Sequence, residues 1–378
     1  MTYNTLPYIA TTLAGLEEVL EEELKQLGAS ETQQLTRAVA FSGTQDLIYK
    51  ANLWSRTALQ VLMNLSTAVI NSPDDIYNHI MTIQWDKYFR PYDTFSVAAV
   101  VHENQFINNS LFAALKAKDA IVDQLRNKYG ARPSVDKDNP TIIVNLHISK
   151  NNMSVAINST GVPLFKRGYK KCAVASPLNE VLAAGIIKLS GWDKTVPLFD
   201  PFCGSGTILI EAAMMAANVA PGLYRNNSFA FTKWKSFNKN KWYSLQEDAK
   251  KAITYKIPPI YGSDISAKAV DYAKENINSA GFTDFIKVEQ VSFGEFTPDI
   301  DDGFIISNPP YGVRTDATGL NDLYKLIGDT FKNQFKGFSC WIISSEKEAI
   351  DKIGLHACSK RKLFNGPLEC KLMGYKMY

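Results

Sequence analysis

Four consecutive residues, Asn308-Pro309-Pro310-Tyr311, combine types that could do chemistry, and they follow, after Ser307, an apolar, β-branched run at 304–306. An exocyclic amine of guanine, adenine or an amide is a weak nucleophile because its lone pair is delocalised, so it must be oriented and allowed to pyramidalise. The Asn308 side-chain oxygen and the Pro309 carbonyl could accept its two N–H bonds and aim that lone pair at an electrophile, with positioning as the main contribution. Two prolines fix φ and keep both acceptors in place. Tyr311 offers a flat face for a base turned out of its stack. Taken alone, the same four residues would also serve as a Pro-Pro strand terminator with a buried Tyr.

A second stretch, Asp200-Pro201-Phe202-Cys203-Gly204-Ser205-Gly206-Thr207, has two glycines for a tight turn after a buried strand, where open α/β sheets bind ligands. A phosphate-binding loop of the GxxxxGK type would need a lysine that does not follow, and the dinucleotide pattern GxGxxG fails because Leu209 stands at its third glycine. S-adenosylmethionine remains. It brings an amino-acid end and a sulfonium, with no pyrophosphate to cradle; Asp200 could face the positive end while the loop backbone takes the rest. Asp264, at the end of the next expected strand, could accept the ribose hydroxyls, or could cap the helix that follows it.

These residues need a scaffold that brings separate strand ends together. After Pro177 the pattern alternates as in a doubly wound parallel sheet: helix 178–191, strand 195–200, helix 208–217, an insertion over 218–257, strand 258–266, helix 267–281, and further alternation to a strand at 338–345. The first part reads as α+β. It has a strand at 8–12, a helix stopped by Gly28, a strand at 38–41, a helix near 45–53 and a strand at 58–65, a set consistent with a ferredoxin-like unit. A strand at 95–101, a helix at 109–130 closed by Gly130, and a hairpin of strands 141–148 and 153–159 follow.

With 378 residues, 46% hydrophobic and 21% charged, the chain is long enough for two or three domains with cores of their own. No run approaches the roughly 18 apolar residues of a membrane span, and the start turns acidic at Glu17 without a leader pattern, which predicts a cytoplasmic protein. Five scattered cysteines without CxxC spacing read as reduced thiols, and no metal site is expected. Residues 1–156 carry 13 Lys+Arg against 16 Asp+Glu, and residues 157–378 carry 28 against 22, so the basic surplus lies in the second part. There KRGYKK (166–171) and FAFTKWKSFNKNKW (229–242) suit an RNA-like polyanion with stackable bases, or else a solvated face with its rings packed beneath.

DPFCGSGTILIEAA (200–213), GSDISAKAVDYAKENINSAG (262–281) and IISNPPYGVR (305–314) resemble the motifs of the THUMP-containing RNA guanine-N2 methyltransferases, such as the N-terminal half of the bacterial 23S rRNA enzymes. YIATTLAGLEEVLEEEL (8–24) resembles their ferredoxin-like unit, FINNSLFAALKAKDAIVDQLRNKYGARPSVD (106–136) their THUMP signature, and LFKRGYKKCAVASPLNEVLAA (164–184) the lead into the catalytic domain. The resemblance implies a ferredoxin-like unit at 1–60, a THUMP domain at 61–157 and a Rossmann-like class I methyltransferase domain at 158–378. It implies S-adenosylmethionine as cofactor and RNA as partner, rRNA ahead of tRNA, and leaves the oligomeric state open. The expected catalytic residues are Asn308, Pro309, Pro310 and Tyr311. Cofactor contacts are expected from Asp200, Pro201, Cys203, Gly204, Ser205, Gly206, Thr207, Asp264, Ile265 and Ser292. Where relatives place an acid for the adenine amine, this chain reads QVSFGEF, with Ser292 at that position. Rival readings are an adenine-N6 methyltransferase on RNA or DNA, a protein glutamine methyltransferase and a noncatalytic RNA-binding assembly factor.

Overall fold

The computed structural model describes residues 5–90, 92–174, 177–226, 228–295, 300–311 and 317–378, with the backbone alone at 317 and 318. Residues 1–4, Ala175-Ser176, Phe296 and Gly312-Val313-Arg314 of the stretches quoted above lie outside the described residues.

In the first part, Val19, Leu20 and Leu24 recur at helical spacing behind acidic Glu17 and Glu18, so β1 (Leu6–Thr11) is followed by α1 (Glu17–Gln26) with that face buried. β2 (Ser30–Leu35), β3 (Ala38–Gly43), α2 (Gln45–Trp54) and β4 (Gln60–Val69) complete the first unit. Next come α3 (Asp74–Thr82), β5 (Thr94–His102), α4 (Ser110–Tyr129), β6 (Ser134–Val135), β7 (Ile142–Ser149) and β8 (Asn152–Asn158). Asn109 caps α4 through bonds from Leu111 N and Phe112 N, and Gly130 closes it at φ +68°. All of these strands join one sheet in the order β2-β3-β1-β4-β8-β7-β5-β6. β4 pairs with β1 over 60–63 and with β8 over 62–69, so the division placed at residue 60 falls at the start of a strand belonging to both units.

The second part contains α5 (Glu180–Ser190), β9 (Leu198–Asp200), α6 (Thr207–Ala216), α7 (Lys239–Lys251), β10 (Ile260–Asp264), α8 (Ala267–Ala280), β11 (Ile286–Gln290), β12 (Phe304–Ser307), α9 (Ala317–Gln334), β13 (Ser339–Ser344), α10 (Lys347–Lys352), β14 (Ser359–Asn365) and β15 (Leu368–Lys376). Its sheet runs β11-β10-β9-β12-β13-β15-β14, parallel except for β15, which pairs antiparallel with both neighbours. Successive residues of a strand point to opposite faces, and here both faces are covered: Ile305 packs with Tyr324, Ile327 and Phe331 of α9, Ile306 with the layer of α5, α6 and α8. β9 is shorter than the strand expected over 195–200, because Asp193 Oδ1 takes both the N–H and the hydroxyl of Thr195, at 2.9 and 2.6 Å, and closes a turn there. The β14–β15 hairpin and α10 lie beyond the last element read from the sequence.

Two basic stretches differ from the base-stacking expectation. In the 218–257 insertion Phe229, Phe231, Trp234 and Trp242 are buried, and Phe231 lies 4.8 Å from Tyr49 of α2 and 5.0 Å from Trp242, centroid to centroid. These rings pack the second part against the first and offer no faces to bases, whereas Lys233 and Lys241 reach Asn139 and Asp46 at the surface. In KRGYKK, Arg167 and Tyr169 are buried against Glu211 of α6, and Lys170 pairs with Glu180 at 2.8 Å; of its four cations Lys166 and Lys171 are the exposed ones. Among the described residues no helix is long and apolar enough to cross a membrane.

Candidate active site

β9 and β12 are parallel neighbours, yet the chain leaves β9 toward β10 and β11 on one side before returning to β12 on the other. Their C-terminal ends therefore flank a topological switch point, the place where open α/β sheets leave a crevice. The glycine loop leaves β9, and Asn308-Pro309-Pro310-Tyr311 leaves β12.

The loop is shaped by its backbone. Gly204 and Gly206 have φ +54° and +81°, and Gly206 N donates to Cys203 O at 2.8 Å, delivering the chain into α6. A Cβ on Gly206 would meet Ala273 Cβ at 3.3 Å, so Gly206→Ala adds crowding to a left-handed strain of about 1–2 kcal/mol. Cofactor binding by that variant, followed by calorimetry, should be weaker by about tenfold. Asn276 of α8 braces the loop from behind: its Nδ2 donates to Ser205 O at 2.9 Å and Cys172 O at 2.8 Å, while its Oδ1 accepts from Lys171 N and Cys172 N. Pro201, Cys203, Ser205 and Thr207 are all buried, and the Cys203 thiol packs into the core, with burial pushing its pKa well up. Half-exposed Gly204 presents its backbone at the surface of the loop. A Cβ there would find only Val174 at 3.7 Å, so the space over the loop is open.

Asp264 ends β10 with Oδ2 accepting from Gly204 N at 3.0 Å and Oδ1 from Ser266 N at 2.9 Å. The α8 cap is Ser266, whose hydroxyl takes Ala269 N, and this displaces the reading of Asp264 as the N-cap. Each carboxylate oxygen keeps a lone pair for a hydroxyl. Beside it Ile265 is 74% exposed, apolar surface suited to one face of an adenine. Ser292 is half-buried at the start of a 3-10 turn, its carbonyl accepting from Glu295 N.

Asp200 is 2% exposed, so it lies under the loop. Its Oδ1 accepts from Phe202 N at 3.2 Å and from the Ser307 hydroxyl at 2.5 Å, which joins the end of β9 to the residue before Asn308. Burial raises its pKa to about 7 despite those two bonds. Among the described residues Asn308 Oδ1 is buried without a hydrogen-bond partner, an acceptor left open where the two loops meet. Pro309 is buried and Pro310 exposed; Tyr311 is half-buried, its hydroxyl accepting from Asn365 Nδ2 at 2.8 Å. Ser307, Asn276 and Asn365 were not among the residues read from the sequence.

The family model for the RMKL-like methyltransferase domain, UPF0020, matches residues 167–373. The chain belongs to this family. Ahead of that domain, the models of the RlmL ferredoxin-like domain and of the THUMP domain match residues 7–62 and 71–158. A Synechocystis protein named "Putative RNA methyltransferase slr0064" is 37% identical over 99% of this chain and 98% of its own length. The ribosomal RNA large subunit methyltransferase K/L of Shewanella frigidimarina is 37% identical over 98% of this chain, which spans 53% of that longer protein. The crystal structure of SMU.472, named "a putative methyltransferase complexed with SAH", superposes with a TM-score of 0.91 at 31% identity, covering 100% of this chain and 99% of that one.

As an RMKL-like methyltransferase, the protein uses S-adenosylmethionine, and its residues fit that group: an open loop backbone at Gly204, free lone pairs on Asp264, apolar surface at Ile265 and a buried carboxyl at Asp200. One pH dependence follows. Without a cation nearby, Asp200 holds its proton up to about pH 7, whereas the unfolded value is 3.8, so the apo protein loses stability as pH rises between those values. A cationic cofactor favours the ionised carboxylate. Its affinity should therefore tighten about tenfold between pH 6 and pH 8, and Asp200→Asn should flatten that dependence in calorimetric titrations.

Proposed function

We propose that this methyltransferase acts on RNA, transferring a methyl group to the exocyclic N2 of guanine, with 23S rRNA as the substrate class. The observation that carries the reading is the buried Oδ1 of Asn308 at the switch point, without a hydrogen-bond partner among the described residues and joined through Ser307 to the carboxyl under the cofactor loop. A guanine amine has two N–H donors and needs two acceptors to hold it, and Asn308 Oδ1 with the adjacent Pro309 carbonyl supplies them. The bound cofactor supplies an electrophilic methyl on its sulfonium. Asp264 and the Gly204 backbone hold the nucleoside, and the amine proton leaves to solvent after transfer. Large-subunit rRNA is favoured by the name of the K/L relatives, RNA by that of the Synechocystis protein, guanine by the resemblance of the motifs at 200–213, 262–281 and 305–314, and the THUMP match supports an RNA grip ahead of the catalytic domain. Working units at 1–60, 61–157 and 158–378 and a cytoplasmic setting go with this reading.

Purified protein with isotopically labelled S-adenosylmethionine, incubated with rRNA and tRNA from cells lacking the gene, tests it after digestion to nucleosides. Label in N2-methylguanosine from rRNA is expected. Label in N6-methyladenosine would move the target to adenine, label confined to tRNA would move the substrate, and no label in any RNA would defeat the proposal.

A further inference from the structure

The C-terminal hairpin brings cations to the edge of the sheet that carries the site. Residues 359–376, which form β14 and β15, hold five Lys and Arg against the single acid Glu369. Register fixes where they stand. Ser307, the residue before Asn308, is level with Ile342 of β13, which pairs with Met373 of β15, which in turn pairs with Lys360 of β14. Two residues nearer the C-terminal ends of β12 and β13, Ser344, Lys371 and Lys362 form the next row on the same face. That row stands at the height of the Asn308-Pro309 loop, and strand spacing puts Lys371 and Lys362 about 10 and 14 Å to the side of β12. Tyr311 spans the interval, its hydroxyl accepting from Asn365 Nδ2 at 2.8 Å.

The two faces of the hairpin differ. Leu363, Cys370 and Leu372 turn into the core beside Leu13 and Leu16, and Arg361 pairs with Glu18 at 3.5 Å, so that face is anchored to the first part. On the other face Met373 is covered by the layer of α9 and α10, and the cover ends before Lys362, whose side chain is 61% exposed. Lys362 lies over the Phe364 ring, 5.3 Å from its centroid, and meets Glu369 at 2.6 Å; Lys347 of α10 reaches the same carboxylate at 4.0 Å. Half-buried Lys371 and exposed Lys360 have no ion pair among the described residues.

Like charges directly opposed across a strand pair repel, as Lys362 and Lys371 must. Cations on an edge strand guard it against pairing with another chain, but that role needs charge on β14 alone. Lys371 stands on β15, which is paired on both sides. One carboxylate shared among these lysines leaves a positive surplus beside the site, which a polyanion can neutralise.

We propose that Lys362 and Lys371, with Lys360 beside them, form a phosphate-binding patch that holds the RNA strand next to the target nucleotide. The strand runs from the switch point past Tyr311 to the hairpin. This inference rests on the reading of the substrate as RNA and assigns the hairpin a part in docking it.

Binding of 23S rRNA from cells lacking the gene, measured over a series of salt concentrations, tests it on Lys362→Gln/Lys371→Gln, Lys362→Arg/Lys371→Arg and Glu369→Gln. The glutamine pair is expected to weaken RNA binding about tenfold and to flatten the slope of log affinity against log salt by about one for each lysine. Its cofactor affinity and its kcat at saturating RNA should stay within about twofold of the unmodified protein. The arginine pair keeps the charge and should bind RNA normally, whereas Glu369→Gln should bind it more tightly. Unchanged affinity and slope in the glutamine pair, or equal losses in both pairs, would overturn the inference. So would self-association of the glutamine pair with RNA binding intact, which would make the lysines an edge guard. Asn308→Ala, run alongside, should bind RNA normally without turnover; full turnover there would sink the reading of the site and leave the patch standing. RNA left unbound by the unmodified protein would overturn both.

Discussion

Replacing Asn308 with alanine should slow methyl transfer by about 10³-fold while cofactor affinity changes by less than about twofold. The reason lies in what the oxygen does and does not touch. Asn308 Oδ1 makes no hydrogen bond among the described residues, so its removal breaks no partner there and costs little stability. What disappears is one of two acceptors that orient the amine, leaving it free to rotate and its lone pair conjugated with the ring. Losses of two to three orders of magnitude are usual when one preorganised hydrogen-bonding group is taken from a reacting centre. Single-turnover rates with saturating cofactor and RNA check the expectation, and a rate within tenfold of the unmodified protein would contradict it.

The second large effect concerns stability. Glu211→Ala should destabilise the protein by roughly 3–5 kcal/mol, because it strands a charge. Arg167 is 1% exposed and Glu211 is fully buried, with Nε to Oε1 at 3.3 Å and Nη2 to Oε2 at 3.4 Å, and the Tyr169 hydroxyl adds a bond of 3.2 Å to Oε1. Burial by itself would lower the pKa of Arg167; Glu211 more than offsets it, so the guanidinium remains charged. Arg167 also donates to Leu164 O and Arg56 O, and Arg56 donates to Met214 O and Val219 O, so the cluster holds the first sheet against α6. The cost should come from the unpaired charge more than from the lost attraction. Glu211→Leu combined with Arg167→Met should therefore recover much of what Glu211→Ala loses. Scanning calorimetry on the three proteins decides this, and an unchanged melting temperature for Glu211→Ala would refute it.

The parts of the site that were legible in the sequence are those with local signatures. Gly204 and Gly206 announce a turn by themselves, Asp264 stands at the end of an apolar run, and the Asn-Pro-Pro-Tyr stretch needs no partner to be noticed. The alternation after Pro177 then places these three at strand ends, and register supplies the rest. What could not be read were contacts between distant residues whose types are ordinary: Ser307 with Asp200, 107 positions apart, Asn276 with Ser205, 71 apart, and Asn365 with Tyr311, 54 apart. A lone Ser or Asn carries no periodic or spacing signal. The same limit explains the stretch 229–242 within the insertion, where alternating rings and cations are equally compatible with a nucleic-acid surface and with a helix-packing wedge. Only the presence of Tyr49 opposite Phe231 distinguishes them, and that tyrosine belongs to the first sheet's layer. Arg167 was likewise counted as a surface cation because its carboxylate partner, Glu211, sits within an apolar helix run where a charge reads as an exception.

Asp200 shows how a correct position can carry a modified role. It was read as a carboxylate facing the cofactor's positive end, whereas the fold buries it under the loop with Ser307 as hydrogen-bond donor. Its charge then depends on the cofactor, and Ser307 transmits the position of that carboxyl directly to the residue next to Asn308.

The most direct measurement is a co-crystal structure with S-adenosylhomocysteine and a short guanosine-containing RNA. The account predicts the adenosine moiety between Gly204 and Asp264, and the guanine N2 within hydrogen-bonding distance of both Asn308 Oδ1 and the Pro309 carbonyl, facing the sulfur. A nucleoside bound elsewhere, or a base whose amine meets neither oxygen, would contradict it.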